Sequence, residues 1–148
     1  MILCGKKTFV MEVTKKYLND LTYEVIGCAI QVHKQLGPGL LESVYEKCFL
    51  RELAINEIEF KSQVSVPIQY KGLLLDAELR YDVMVENSLV VELKAIDGFL
   101  PVHDAILLTY MRMLEKPKGI LINFNCTNIF KSGQKTLVNE LYAGLRDE

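Results

Sequence analysis

The hydrophobic pattern of this chain changes its period after Asn56, and this change constrains the fold more than any other feature of the sequence. Before Asn56, apolar residues recur every three or four positions, as they do along the buried face of a helix. After Asn56, apolar and polar residues alternate from Ile58 to Tyr70, which is typical of a half-buried strand. A chain that begins with helices and continues with strands is expected to pack helices against a sheet. The sequence therefore predicts a domain in which helices pack against a sheet.

Two helices are predicted in the first third of the chain. One covers residues 19–36, with Asn19 or Asp20 as its N-cap, and it ends where glycine, proline and glycine follow at 37–39. The second covers about 41–54 and carries its own apolar stripe. Because the connection between them is so short, we expect the two helices to form a hairpin or corner.

Strands dominate the middle of the chain. The predicted elements after the second helix are strands at 58–70, 73–85 and 89–95, a helix at 102–114, a short buried strand at 119–124 and a terminal helix at 134–145. Lys71 with Gly72 forms the first turn, and residues 86–88 form the second. Pro67 indicates that the first strand lies at an edge of the sheet or contains a bulge.

Composition fits one ordinary soluble domain, since 50% of the 148 residues are hydrophobic and 24% are charged. A chain of this length buries about 68–70% of the surface that its unfolded form exposes, which is enough for one core without disulfides. We expect an N-terminal extension at residues 1–16 and a single domain at 17–148. Because the formal net charge is only -2, any nucleic-acid site has to be a local patch.

Cysteine usage and hydropathy predict the cellular environment. The four cysteines, at positions 4, 28, 48 and 126, form no C-x-x-C pair, which argues against zinc and redox motifs. They are expected to be buried thiols in a reducing cytoplasm. No stretch approaches 18 uncharged apolar residues, so we expect no membrane span. The first ten residues lack the long apolar run of a secretory signal.

Three charged residues stand out on two of the predicted strands. Asp82 lies on one strand, whereas Glu92 and Lys94 lie two positions apart on the next and so share a face. A tight turn near Asn87 would bring Asp82 close to Glu92. Two carboxylates are costly to bury together unless a cation compensates them, and their hard oxygen atoms suit Mg²⁺ or Mn²⁺. The alternative is a cross-strand ion pair on a solvated face, worth at most about 1 kcal/mol.

Several short motifs occur together in this chain. The stretch G-L-L-E-S-V-Y fits the pattern G-x-x-E-x-x-Y through Gly39, Glu42 and Tyr45. With Asp82, E-L-K at 92–94 and L-I-N-F at 121–124, the chain resembles the GxxExxY proteins, a family similar to the PD-(D/E)XK nuclease superfamily. Each motif alone is weak, but their order on the expected elements is fairly specific. The resemblance covers residues 17–124.

The resemblance implies an α/β fold with a PD-(D/E)XK nuclease-like core, a central mixed β-sheet flanked by helices. Asp82 and Glu92 would be the metal ligands, with the backbone carbonyl of Leu93 completing the set. Lys94 would act on the nucleophilic water, and Glu42 on the second helix would support the metal site. The implied reaction is metal-dependent hydrolysis of phosphodiester bonds in nucleic acid, either DNA or RNA. From its position alone, Glu42 equally fits an acid that stabilises the first turn of a helix.

The chain departs from the family pattern in two places. Tyr81 precedes Asp82 where a proline gives the superfamily its name, and Ile106 stands where relatives carry a glutamine. Because Ile106 cannot hydrogen-bond, the second hypothesis is a catalytically inactive binding or assembly module. His103 and Tyr110 lie in the same segment and are the candidate substrate-binding residues. A homodimer is also expected, since so small a domain has limited surface for gripping two strands.

Overall fold

The computed structural model describes residues 12–148, apart from the side chains of residues 76–78. Residues 1–11 of the predicted N-terminal extension, including Cys4, lie outside the described residues. The elements are, in chain order, α1 (Lys15–Leu36), α2 (Glu42–Ile55), β1 (Phe60–Tyr70), β2 (Leu73–Val85), β3 (Leu89–Lys94), α3 (Pro101–Leu114), β4 (Lys118–Asn123), α4 (Ile129–Ser132), β5 (Gln134–Val138) and α5 (Glu140–Ala143). Through β4, this is the order that the hydrophobic periodicity predicts.

The five described strands form one mixed sheet in the spatial order β1-β2-β3-β4-β5. Neighbouring strands are antiparallel except for β3 and β4, which run parallel. Parallel neighbours require a long crossover connection, and α3 supplies it. Helices α1 and α2 pack on one side of the sheet and α3 on the other. The predicted α/β fold, with a central mixed sheet flanked by helices, is confirmed.

Alternation along β2 and β3 distributes the core over both faces of the sheet. The residues of these strands that pack with α1 and α2 are Val83, Val85, Leu89, Val91 and Leu93. Those that pack with α3 are Met84 and Val90, together with Tyr81. Glu92 and Lys94 have the same parity as Val90. Successive side chains of a strand point to opposite faces, so Glu92 and Lys94 project from the α3 side of the sheet. Asp82 lies where the alternation of β2 breaks, because Tyr81 packs with α3 whereas Val83 packs with α1 and α2.

Two features of the strands β1, β2 and β3 follow from the sequence. The register between the strands shifts between Val66 and Ile68, which flank Pro67, and β1 is an edge strand. Both readings of Pro67 are therefore confirmed. The turn from β2 to β3 contains Glu86 and Asn87 with φ of 51° and 52°, the left-handed conformation that tight hairpin turns use. This turn fixes which residues of β2 and β3 lie opposite each other.

Helix α1 begins earlier than predicted, and the predicted N-caps are wrong. Thr14 is the N-cap, because the Tyr17 N–H donates a hydrogen bond to its hydroxyl oxygen at 3.0 Å. Asn19 and Asp20 lie within the helix instead. The side-chain oxygen of Asn19 accepts a hydrogen bond from Lys118 Nζ at 2.7 Å, which ties α1 to the start of β4.

The predicted terminal helix at 134–145 is also wrong. Its first part forms β5, which pairs antiparallel with β4 from Ile122↔Gln134 to Lys118↔Val138. Pairing satisfies the backbone groups that β4 would otherwise leave unpaired along this edge, and this tertiary gain outweighs local helix preference. Only the four-residue α5 remains helical within the predicted range.

The thiols and hydropathy of the described residues agree in part with expectation. Cys28, Cys48 and Cys126 are free, but only Cys28 is fully buried. Burial raises the pKa of the Cys28 thiol to about 11, which makes it chemically inert. Within residues 12–148, no helix is both long and apolar enough to cross a membrane.

Candidate functional site

The candidate site lies where β2 and β3 stop pairing. The last pair of their antiparallel register is Val83↔Val91. Asp82 and Glu92 come next. At this point, hydrogen bonds from backbone N–H groups to the two carboxylates replace the backbone-to-backbone hydrogen bonds of the ladder. The Asp82 N–H donates to Glu92 Oε1 at 2.9 Å, and the Leu93 N–H donates to Asp82 Oδ2 at 2.8 Å. The two carboxylates therefore occupy the gap between the strands, so the predicted proximity of Asp82 and Glu92 is present in the structure.

Glu92 is a buried acid, with only 4% of the residue exposed. Burial, followed by the negative charge of Asp82, raises the pKa of Glu92 to about 8. A bound cation would add opposite charge beyond the part that Lys94 supplies. The donor chemistry fits Mg²⁺ or Mn²⁺, because two carboxylates and carbonyl oxygens are hard ligands. Within the described part of the chain, no three His, Cys, Asp or Glu side chains are grouped to hold an ion, so other oxygen atoms would complete such a site.

The backbone of β3 offers one of these oxygen atoms. The Leu93 N–H points towards β2, where it meets Asp82. On the opposite side of the strand, the Lys94 carbonyl accepts a hydrogen bond from the Phe124 N–H at 2.9 Å. Since the N–H and C=O of one strand residue point the same way, the Leu93 carbonyl also faces the gap beside Asp82. This orientation agrees with the ligand role that the resemblance implies.

Lys94 ends β3 on the same face as Glu92 and is half-buried. Its positive charge lowers the pKa of Glu42 and of Glu92, opposing the larger effects that raise them. The chain after Lys94 is held by the buried Asn123, whose Oδ1 accepts from the Ile96 N–H at 3.0 Å and whose Nδ2 donates to the Ile96 carbonyl at 2.9 Å. Lys94 is thus an ammonium group placed among carboxylates on a fixed backbone.

The G-x-x-E-x-x-Y motif builds the turn that places Glu42. Gly39 has φ of 101°, a conformation that side chains rarely adopt. The Tyr45 hydroxyl donates to the Gly37 carbonyl and accepts from the Leu40 N–H at 3.2 Å. The Tyr45 ring stacks on Phe124 with centroids 4.6 Å apart, so Tyr45 is a core residue that locks the turn.

Glu42 is the first residue of α2. Its pKa is raised by loss of solvent and then by the Asp82 carboxylate, and Lys94 acts in the opposite direction. Glu42 is therefore close enough to Asp82 and Lys94 for their charges to act on it, and its supporting role at a metal stays a prediction. The place of Glu42 in the first turn of α2 also agrees with the alternative that it is an acid stabilising the start of a helix, and the two roles are compatible.

The two candidate substrate-binding residues have different surroundings. Tyr110 of α3 is 8% exposed, and its pKa is raised by burial and then by the charges of Glu92 and Asp82, which places it beside the carboxylates. His103 caps the start of α3 instead. The His103 Nδ1 accepts from the Leu100 N–H at 2.8 Å. A substrate role for His103 or Tyr110 stays a prediction.

Sequence reasoning missed two residues of this cluster, Gln63 and Glu46. Gln63 Nε2 lies 3.0 and 3.2 Å from the two carboxylate oxygens of Glu46 and 3.4 Å from Asp82 Oδ1. Glu46 lies one helical turn after Glu42, so the spacing E-x-x-x-E on α2 was an available signal. No local sequence pattern distinguishes Gln63, because its position beside Asp82 depends on the pairing of β1 with β2.

Ile106 lies on α3, one helical turn before Tyr110, and is 38% exposed. It lines a small open cavity of about 160 Å³ with Leu79, Ala105, Thr109 and Tyr110. The Thr109 hydroxyl is already bonded to the Ala105 carbonyl at 2.8 Å. This face of α3 therefore presents an apolar surface where relatives of the resembled family carry an amide.

A mixed sheet flanked by helices, with paired carboxylates at the open end of two strands, defines an α/β domain of the nuclease-like type. A family model described as the PD-(D/E)XK nuclease superfamily matches residues 19–136. The chain therefore belongs to the PD-(D/E)XK nuclease superfamily. No curated protein and no solved structure matches it. Membership of the narrower GxxExxY family stays a prediction.

Proposed function

We propose that this chain is a nuclease that hydrolyses phosphodiester bonds in nucleic acid with Mg²⁺ or Mn²⁺. The supporting observation is the Asp82–Glu92 pair, in which a buried carboxylate with a pKa of about 8 lies beside a second carboxylate. Without a cation, ionisation of both carboxylic acids is unfavourable, because the two negative charges repel. A bound cation makes ionisation of both favourable. Membership of the superfamily implies a nucleic-acid substrate. DNA and RNA remain equal candidates.

Each residue of the site has a defined task in this proposal. Asp82, Glu92 and the Leu93 carbonyl hold the divalent ion, which when bound polarises a phosphoryl oxygen and makes water a better nucleophile. Lys94 orients the attacking water and stabilises negative charge on the phosphate. Glu42 adds negative charge that favours retention of the cation. Tyr110 lines the α3 side of the site, where its ring excludes water from Glu92.

Ile106 favours a second candidate, a catalytically inactive binding or assembly module. Its side chain gives the α3 side of the site no hydrogen-bonding group at this position. In such a module, the acidic pair would serve the fold rather than chemistry. A cytoplasmic location and a homodimer stay predictions under both candidates.

Calorimetric titration with Mn²⁺ separates these candidates. We expect the wild type to bind Mn²⁺ and to cleave labelled DNA or RNA, whereas Asp82→Asn loses both. Lys94→Met keeps Mn²⁺ binding but loses cleavage by roughly 10²–10³-fold, the usual cost of removing one group that stabilises negative charge in the transition state. Glu24→Gln, which removes an exposed acid of α1, is the matched control and keeps both. A wild type that neither binds Mn²⁺ nor cleaves either nucleic acid contradicts the nuclease proposal and supports the module.

A further inference from the structure

Gln63 has an unusual backbone for a residue within a strand. The ladder pairs on either side of it are Ser62↔Val83 and Val64↔Tyr81, so Gln63 lies opposite Asp82. Its φ is 52°, in the left-handed region that non-glycine residues avoid. Residues persist in such conformations only where their surroundings over-determine them. The contacts of the Gln63 side chain indicate what holds it there.

The side-chain amide of Gln63 spans two carboxylates that come from different elements. Nε2 lies 3.0 Å from Glu46 Oε2 on α2 and 3.4 Å from Asp82 Oδ1 on β2. The other Asp82 oxygen, Oδ2, accepts the Leu93 N–H at 2.8 Å. Both oxygens of Asp82 are therefore oriented by a hydrogen-bond donor. One donor is the Leu93 backbone N–H, and the other is the side-chain amide of Gln63.

A neutral amide has a specific advantage in this position. Lysine or arginine would also bridge two carboxylates, but the positive charge would cancel the field that attracts a cation. Glutamine donates two hydrogens without adding charge, so it holds Asp82 and Glu46 while the site stays acidic. Each carboxylate oxygen keeps a lone pair for a further ligand.

We propose that Gln63 is a positioning residue that fixes the Asp82 carboxylate for the divalent cation and couples it to Glu46 of α2. This inference rests on the proposed function, because the cation is the ligand that Asp82 is positioned to meet. Partners behind metal ligands typically change metal affinity by about 10–100-fold when they are removed. An effect of this size on Mn²⁺ affinity is the expected signature.

The test compares Mn²⁺ dissociation constants and thermal midpoints of the full chain by calorimetry. Gln63→Gly removes the amide and also relieves the left-handed backbone, so the protein stays folded while its Mn²⁺ dissociation constant rises about tenfold or more. Gln69→Gly is the matched control, because Gln69 is an exposed residue of the same strand. Its dissociation constant stays at the wild-type value. If the glycine variant does not fold, Gln63→Asn replaces it. Asparagine also tolerates positive φ, and because its side chain is one methylene shorter, the Mn²⁺ dissociation constant should still rise.

A double-mutant cycle with Glu46→Ala separates positioning from a general effect on the fold. If Gln63 acts through Glu46 and Asp82, the two substitutions together weaken Mn²⁺ binding less than the sum of their separate effects. Wild-type protein that binds Mn²⁺ as tightly as folded Gln63→Gly overturns this inference and leaves the nuclease proposal intact. Wild-type protein that binds no Mn²⁺ overturns both.

Discussion

Replacement of Glu92 by glutamine should stabilise the metal-free protein at neutral pH. The carboxyl group of Glu92 is buried beside Asp82, which raises its pKa from 4.5 to about 8. A glutamine has nearly the same shape, and its side-chain oxygen can still accept the hydrogen bond from the Asp82 N–H. The substitution therefore removes the cost of ionisation and keeps the contact across the strands.

The magnitude follows from proton linkage. Between pH 4.5 and about 8, the unfolded chain has released the Glu92 proton while the folded chain still holds it, so stability falls as pH rises. Below pH 4.5 both states hold the proton, and above pH 8 both have released it. At about 1.36 kcal/mol per pH unit, the interval from 4.5 to 7 corresponds to roughly 3 kcal/mol lost by the wild type at neutral pH.

Urea unfolding in EDTA at several pH values between 5 and 8 measures this effect. At pH 5 the wild type and Glu92→Gln should differ little, whereas at pH 7 the variant should be more stable by about 3 kcal/mol. Glu24→Gln, on the exposed face of α1, should follow the wild type throughout. Saturating Mn²⁺ should reverse the order, because only the wild type gains free energy from the ion. Equal pH dependence in the wild type and Glu92→Gln would refute the reasoning.

Three further substitutions test the scaffold of the site by urea or thermal unfolding. Tyr45→Phe removes the hydroxyl that holds the turn at Gly37 and should lower the free energy of unfolding by about 1–2 kcal/mol. An unchanged free energy of unfolding would mean that the turn does not need this hydrogen bond. Gly119→Ala places a methyl group 2.8 Å from Leu107 Cδ1 and should cost about 1–3 kcal/mol, whereas a neutral effect would mean that α3 shifts freely. Asn123→Ala breaks the bonds that fix the loop after β3 and should cost about 2–3 kcal/mol; a loss below 0.5 kcal/mol would contradict that role.

The sequence predicted the parts of the fold that local patterns determine. The change of period after Asn56 located the helices and the three-stranded meander, and the turn at 86–88 was enough to bring Asp82 close to Glu92. The segment at 134–145 shows where such patterns fail. Its five residues Gln134–Val138 form a strand because β4 presents a free edge, and a local pattern contains no information about that edge.

The site was predictable to the extent that its residues lie on neighbouring strands or in a motif. Glu92 and Lys94 share a face because they lie two apart, and Glu42 belongs to a recognisable turn. Gln63 was not predictable, because its role depends on pairing across the β1–β2 hairpin and on an unusual φ. Long-range register and backbone strain do not appear in the local order of residues.

The end of the β2–β3 ladder also bears on how such a domain can evolve. The carboxylates of Asp82 and Glu92 accept the backbone N–H groups of Leu93 and Asp82, so either side chain is a structural acceptor as well as a candidate ligand. A lineage that gave up cleavage would still be selected to keep an oxygen at both positions. Asparagine and glutamine satisfy that demand at the lowest cost, so a descendant that has lost catalysis should carry amides there sooner than alanine.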